Sequence, residues 1–412
     1  MSASARLIAG AAVVGLLLRL GFGLWYWVGQ PLTRDEREYL SLARSIRAGD
    51  GFVYGDGFTD PFGRAPGYPA FLAVAGGGVE VTSSVPAVVK VSQSLIGVIG
   101  VLLAAALAAR LAGPWAATAA ALFTAIYPPL VWISSRAFSE ALFWPIGLFV
   151  AWLFNRADGA ATPNDRVRLA LICGLVSGAG VLIRPALLFF LLLAAIYWAW
   201  GRRWVPIAAL ALGSLLIVGP WTARNFAVYG RFVLVATEGG VTFWTGNHPL
   251  AVGDGDMAAN PAIKLESQAL RARYPQLSEE AMEPIYYREA VQWVRSHPLD
   301  WLALEARKVF YTIVPTGPSY GLHSRRYVMA SVVPYALAFA AAMIGLWRWR
   351  DGVGRLPGLW LLVASSLLVS LVFFPQERFR IPVIDPALLI LAAAALAPRW
   401  PLSPVSAARV AA

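Results

Sequence analysis

Residues 86–109, PAVVKVSQSLIGVIGVLLAAALAA, carry a single charge, Lys90, in 24 positions. At 1.5 Å per residue such a helix is about 36 Å long, enough to cross a hydrocarbon core of about 30 Å. A helix that is apolar all round belongs in a bilayer or in the core of a large protein. Nine further stretches read the same way: 7–29, 113–132, 137–155, 169–183, 185–200, 204–221, 328–347, 356–374 and 381–398. The whole chain agrees with them. Of its 412 residues 58% are hydrophobic and 14% charged, and its mean hydropathy is +0.62. Soluble domains carry roughly 25% charged residues. Too few polar side chains exist here to coat soluble domains, and disorder needs the opposite balance. Only helices and closed barrels span bilayers. The expected fold is therefore an all-α polytopic membrane protein with about ten transmembrane helices.

Residues 169–183 and 185–200 are each short, and together they would make one long helix. The dipeptide Arg184-Pro185 separates them, because a residue before proline is pushed out of the α region. Residues 7–29 are too long for a typical apolar signal region and lack a clear small-residue cleavage site, so they are kept as a span.

The single cysteine, Cys173, excludes an internal disulfide and a cysteine-based zinc site. Three histidines, at 248, 297 and 323, leave little for a histidine-rich metal centre. The net charge of +11 reads as topogenic arginine rather than as a nucleic-acid surface. In a ten-span arrangement, the short segments on the N-terminal side hold 12 arginines against Asp158, Asp165 and Asp351. That bias places both termini in the cytoplasm.

Five regions follow: a first span (1–29), a first outer loop (30–85), a membrane bundle (86–221), a second outer loop (222–327), and C-terminal spans with a cytoplasmic tail (328–412). The second loop holds 11 Lys+Arg against 10 Asp+Glu. Residues 253–260, GDGDMAAN, read as a flexible loop, and 283–315 as helical. The segment HPLDWLALEARKVFYTIVP suits either an amphipathic helix on the membrane surface or one docked in the outer domain.

Ten charged residues fall outside the cytoplasmic segments and the charged loops: Arg19, Glu80, Lys90, Arg136, Glu140, Arg184, Glu377, Arg378, Arg380 and Asp385. All but Arg19 lie near predicted outer ends. An intramembrane ionisable residue is expensive and marks function by default. The arginine surplus suits an anion held in a polar cavity on the outer leaflet, and a set of interfacial anchors and helix-bundle ion pairs is the plain alternative. Arg136 and Glu140 stand i, i+4, so an ion pair within one helix is a further reading.

In the first loop, Thr33 and Glu36 form an S/T-x-x-E capping box, so a helix starts near Arg34 and ends at Gly49. Glu36 thus has a structural role. Asp35 has none beyond the favourable helix dipole. Arg64 sits in GRAPGYP, where two prolines stiffen the backbone; a guanidinium there can clamp a phosphate bidentately or be an ordinary loop arginine.

Taken together, these residues resemble the GT-C superfamily of membrane glycosyltransferases. Within it, the bacterial branch related to protein O-mannosyltransferases looks nearest. That branch includes the lipid A aminoarabinose transferase and rhizobial lipopolysaccharide galacturonosyltransferases. The resemblance rests on Asp35-Glu36 before a helix and on RAPGYP at 64–69. Further support comes from SSRAFSEALF at 134–143, LIRP at 182–185, WTARNFAVYGRFV at 221–233, TEGGVTFWTGNHP at 237–249 and ERFRIPV at 377–383. It covers about residues 30–385. No single motif decides it; their order and membrane placement do.

The resemblance implies a GT-C-like bundle with two outward loops bearing short amphipathic helices. It implies transfer of a sugar from a polyprenyl-phosphate donor to a lipid, glycan or protein acceptor on the outer face. The family's catalytic acid residues correspond to Asp35, with Glu36 beside it, and to Glu140. Its donor-phosphate contacts correspond to Arg64, Arg378, Arg380 and Arg184. Arg136, Tyr68, Asn247 and His248 are the substrate-binding positions. The chain has fewer spans and a smaller outer domain than the larger relatives, which puts their acceptors in doubt. A divalent metal held by Asp35, Glu36 and Glu140 stays an open but disfavoured reading, because oxygen-ligand sites usually need more carboxylates; the lipid-linked sugar is the expected donor substrate. A lipid transporter or flippase, and an inactive scaffold relative, are the competing readings. Transporters favour inverted repeats and helices interrupted at mid-membrane depth, whereas this chain shows no internal repeat and keeps its charges at one face.

Overall fold

The computed structural model describes residues 2–55, 58, 63–78 and 82–398. Glu80, Arg399, Arg409 and the rest of the tail lie outside the described residues. The chain is helical, with no strand among the described residues. Each of the ten apolar stretches coincides with a helix, or with part of one. All the α-helices, in order, are α1 (Ala3–Gly21), α2 (Arg34–Ala48), α3 (Gly67–Val74), α4 (Ala87–Ile126), α5 (Pro128–Ile133), α6 (Glu140–Asp158), α7 (Pro163–Ile183), α8 (Leu188–Trp200) and α9 (Trp204–Tyr229). There follow α10 (Gly239–Gly246), α11 (Pro261–Ala272), α12 (Glu279–Ser296), α13 (Pro298–Ile313), α14 (Arg325–Arg348), α15 (Pro357–Val372), α16 (Glu377–Arg380) and α17 (Ile384–Leu396).

Among the described residues, five helical stretches are long and apolar enough to cross a membrane by length and composition: Ala3–Tyr26, Ala87–Ile126, Pro163–Ile183, Trp204–Tyr229 and Arg325–Arg348. The second is two spans in one, because Ala112 and Gly113 leave the helical region, Gly113 with φ +82°. Three apolar helices are shorter: Pro185–Trp200, Pro357–Val372 and Ile384–Leu396. A helix of 16 residues covers about 24 Å, less than the core of about 30 Å. Irregular backbone adjoins two of them, at Arg184 and at Phe373–Gln376. Arg184 is extended at φ −143°, as its place before Pro185 requires. These irregular ends carry the charges of the site.

Helices α7 and α9 pack closely through glycines on both. A Cβ on Gly174 would lie 2.2 Å from the Leu210 carbonyl oxygen, and one on Gly213 would lie 2.4 Å from that of Leu171. The Ser214 hydroxyl donates across the same seam to the Gly174 carbonyl at 3.1 Å. Small residues at membrane helix contacts let backbones approach. Gly213→Val should therefore force the pair apart at a cost of about 1–3 kcal/mol. Its readout is a lower thermal-unfolding midpoint in detergent; an unchanged midpoint would show that the seam yields.

Two cations that looked isolated in the sequence cap broken helices. Arg19, fully buried, donates to the carbonyls of Thr124 at 3.2 Å, Ala125 at 3.1 Å and Gly15 at 3.0 Å. Thr124 and Ala125 end α4, so the positive charge meets the negative pole of that helix. Lys90 does the same for the end of the first span, reaching the carbonyls of Gly23 at 3.0 Å and Trp27 at 2.8 Å.

Residues 239–313 pack around their own core, which includes Trp244, Ile263, Met282, Tyr286 and Leu304. The helical segment expected at 283–315 is two helices, parted at His297 before Pro298. Helix α13 is docked in the outer domain, one of the two readings made of it. Leu304, Lys308 and Thr312 are buried against the fold. Leu299, Leu302, Val309, Phe310 and Ile313 form an exposed apolar face, Leu299 being 78% exposed.

Candidate active site

Helix α2 begins with the expected capping box. The Thr33 hydroxyl accepts from the Glu36 amide at 3.4 Å, and the Thr33 amide donates to Glu36 Oε2 at 2.8 Å. Glu36 is fully buried. It also receives the Arg136 guanidinium at 2.6 Å and the Ala137 amide at 3.0 Å. One carboxylate thus ties the first loop to the turn before α6. The i, i+4 pairing of Arg136 with Glu140 does not form. Residues 134–139 are non-helical and α6 starts only at Glu140, so Arg136 is not on that helix. Glu36→Ala should cost about 3–5 kcal/mol, because it strands a buried arginine. Glu36→Gln, which keeps the cap, should unfold much closer to wild type, and equal losses in both would show that the cap contributes nothing.

Asp35, one residue earlier, points elsewhere. Its Oδ1 accepts from Arg64 at 2.7 Å and its Oδ2 meets Arg378 at 2.5 Å. Burial alone would raise this carboxyl. The guanidinium groups of Arg378 and Arg64 outweigh burial and hold it well below the usual carboxylate range. Arg378 reaches on to Glu140 at 3.7 Å, and Glu140 pairs with Arg184 at 2.6 Å. The Arg184 guanidinium lies over the Phe379 ring at 4.8 Å. Five residues expected from the sequence, Asp35, Arg64, Glu140, Arg184 and Arg378, therefore form one chain of ion pairs. They come from α2, the loop before α3, the start of α6, the α7–α8 break and α16.

Arg64 is the most heavily engaged. Besides Asp35 it meets Glu38 Oε2 at 2.6 Å and Glu238 Oε2 at 3.2 Å. Glu38 in turn takes Arg34 at 2.9 Å. Four carboxylates (Asp35, Glu38, Glu140, Glu238) thus face four guanidinium groups (Arg34, Arg64, Arg184, Arg378). The cluster is electrically balanced. Where an open polar cavity was expected, these charges hold one another.

A scan against protein-family models and a search of curated proteins find no match. Solved structures do match. The archaeal oligosaccharyltransferase AglB from Archaeoglobus fulgidus, in complex with an inhibitory peptide and a dolichol-phosphate, gives a TM-score of 0.56 at 16% identity, over 99% of this chain and 53% of that one. The Archaeoglobus fulgidus oligosaccharyltransferase tethered with an acceptor peptide gives 0.57 at 16% identity, over 95% and 49%. The chain has a GT-C fold. It spans about half the length of those archaeal chains. ArnT from Cupriavidus metallidurans in the apo state aligns over 95% of this chain and 77% of that one, at TM-score 0.43 and 15% identity.

Within this GT-C fold the other expected residues sit apart from the ion-pair chain. Arg380 pairs with Asp385 at 2.9 Å and covers the Tyr335 ring at 3.8 Å. Tyr68 is fully buried, donates to Gln93 at 2.7 Å and stands edge-on to Tyr39. Asn247 is a joint: it donates to the Val372 carbonyl at the end of α15 and accepts from Trp301 and Lys308. His248 packs on Trp244 in the domain of residues 239–313.

Three residues of the cluster, Arg34, Glu38 and Glu238, escaped sequence reasoning. Glu38 stands three positions after Asp35, hence on the same helix face, and that spacing was a usable signal. Glu238 lies inside the TEGG stretch that carried the resemblance. Burial raises its pKa, against the lowering effect of Arg64. Among the described residues, no group of three or more His, Cys, Asp or Glu side chains could hold one metal ion. Each Asp35 oxygen carries one guanidinium group.

Proposed function

We propose that this chain is a membrane glycosyltransferase that moves a sugar from a polyprenyl-phosphate donor to a cell-envelope acceptor at the outer face of the bacterial inner membrane. The observation that carries this reading is Asp35 held between Arg64 and Arg378, beside Arg184 and Glu140, at the irregular ends of apolar helices. The shared fold with an oligosaccharyltransferase solved with a dolichol-phosphate supports it.

The chemistry follows from the pairing. The acceptor hydroxyl oxygen attacks the anomeric carbon. The bond from that carbon to the phosphate oxygen breaks, and its electron pair stays on the phosphate. The acceptor proton passes to Asp35. Asp35 loses its negative charge as the leaving phosphate gains one. Arg378 can therefore exchange a carboxylate partner for a phosphate partner within a balanced cluster, which stabilises developing charge without bringing in a new cation. In the resting state Asp35 is a weak base because both arginines hold it. Donor binding draws Arg378 toward the phosphate, frees Oδ2 and strengthens the base. Arg378 and Arg184 are the donor-phosphate contacts in this scheme. Arg64, engaged by three carboxylates, orients Asp35. Attack from the face opposite the phosphate inverts the anomeric centre.

The test compares cell-envelope glycans and polyprenyl-linked sugars by mass spectrometry with and without the gene, followed by transfer from a purified polyprenyl-phosphate sugar. A glycan lost with the gene, and its donor accumulating, is the expected result. An unaltered envelope together with no transfer by the purified protein would remove this reading.

A further inference from the structure

Helix α13 carries polar groups that the ion-pair cluster does not use. Asp300 and Arg307 stand seven residues apart on one helix face, about 10 Å along the axis. Both line a cavity of about 410 Å³, together with His248, Trp293 and His297. That volume is typical of small-molecule sites. Neither Asp300 nor Arg307 forms a hydrogen bond or ion pair with another described side chain. Ala251 and Leu304, both buried, give the cavity an apolar floor, with Ala303 at its exposed rim.

The aromatic wall is firmly set. Trp293 and His297 stack, with their ring planes 20° apart. His248 lies 4.2 Å from the Trp244 ring, and its Nδ1 accepts from the Leu250 amide at 3.1 Å. Burial lowers the His248 pKa to about 4, so the ring is neutral and its proton sits on Nε2 as a donor.

The occupant follows by elimination. An anion meets Asp300, and an organic cation meets Arg307. A metal ion lacks ligands, because no group of three or more His, Cys, Asp or Glu side chains gathers among the described residues. Asp300 and Arg307 are exposed at the rim, and a wholly apolar ligand would leave both without a partner. A neutral polyhydroxylated ring satisfies every group at once. Its hydroxyls donate to Asp300 and accept from Arg307 and His248, and its C–H face rests on the apolar floor. We infer that this cavity is an oligosaccharide-binding subsite that takes two linked sugar rings between Asp300 and Arg307. Its assignment to the acceptor glycan rests on the proposed transferase activity; sugar binding itself does not.

The experiment is saturation-transfer NMR with calorimetry on the full chain in lipid nanodiscs, using maltose, lactose, mannobiose and chitobiose as probes. At least one disaccharide should bind saturably. Asp300→Asn and Arg307→Gln should each weaken it about tenfold or more, as losing a charged hydrogen bond does. Asp35→Asn should leave sugar binding unchanged. Absence of saturable binding by all four, or binding indifferent to both substitutions, would overturn the subsite. So would inorganic phosphate held by Arg307 and bound more tightly in Asp300→Asn, which would make this an anion site. Sugar binding without any transferase activity would sink the proposed function and leave the subsite standing. Transfer without disaccharide binding would do the reverse.

Discussion

Asparagine at position 35 should abolish transfer and tighten the grip on the donor. Turnover of a polyprenyl-phosphate sugar by Asp35→Asn should fall about 10²–10⁴-fold, the usual loss when a general base is removed. Affinity for undecaprenyl phosphate should rise in the same variant. Asp35 competes with phosphate for Arg378, at 2.5 Å in the resting site, and an amide competes far less well than a carboxylate. The two effects separate a base from a structural residue. A residue that merely held the loop in place would lose both turnover and lipid affinity. Measuring both on one preparation makes the test decisive. Near-normal turnover in Asp35→Asn would move the base to Glu238, which has a single contact to Arg64, at 3.2 Å, and a raised pKa.

How much of this was readable in advance depended on the range of each interaction. Local signals were accurate. The capping box at Thr33–Glu36, the glycine stop at Gly49 with φ +86°, and the break before Pro185 all involve residues within a few positions of one another. The apolar stretches were equally plain, because bilayer thickness imposes a length that no soluble element needs. Partner choice was another matter. Glu36 finds Arg136 a hundred residues away, and Arg64 finds Glu238 across 174. A single sequence contains the charges but not their pairing. The i, i+4 rule misled at Arg136 because it presumes a continuous helix, and the chain is non-helical from Ser134 to Ser139. Arg19 escaped for a related reason. Its partners are backbone carbonyls at the end of α4, and a carbonyl leaves no mark in the sequence. The balance of the cluster was also hidden. Arginines counted as free for an anion turned out to be held by Glu38 and Glu238 as well as by the expected acids.

Removing Arg378 should act in the opposite sense to removing Asp35, and on two measurements. Arg378→Ala should raise the donor KM about 10²-fold or more, since truncating one partner of a buried hydrogen-bonded charge pair costs about 2–5 kcal/mol. Arg378→Lys should recover only part of it, because an ammonium cannot present the planar fork that suits a phosphate. The second measurement is the pH profile of kcat/KM, which reports the free enzyme. Burial favours the neutral form of Asp35; Arg378 and then Arg64 reverse that and hold its pKa below the ordinary carboxylate range. A base is active when deprotonated, so activity is lost as pH falls through its pKa. With Arg378 present that loss begins below the ordinary carboxylate range. Without Arg378 the effect of burial is less opposed, the Asp35 pKa rises, and the acid limb of the profile should move to higher pH. Arg184→Gln, which leaves both Asp35 contacts in place, should raise the donor KM without moving that limb. An acid limb unmoved in Arg378→Ala would mean that Asp35 is not the titrating base, whatever happens to the donor KM.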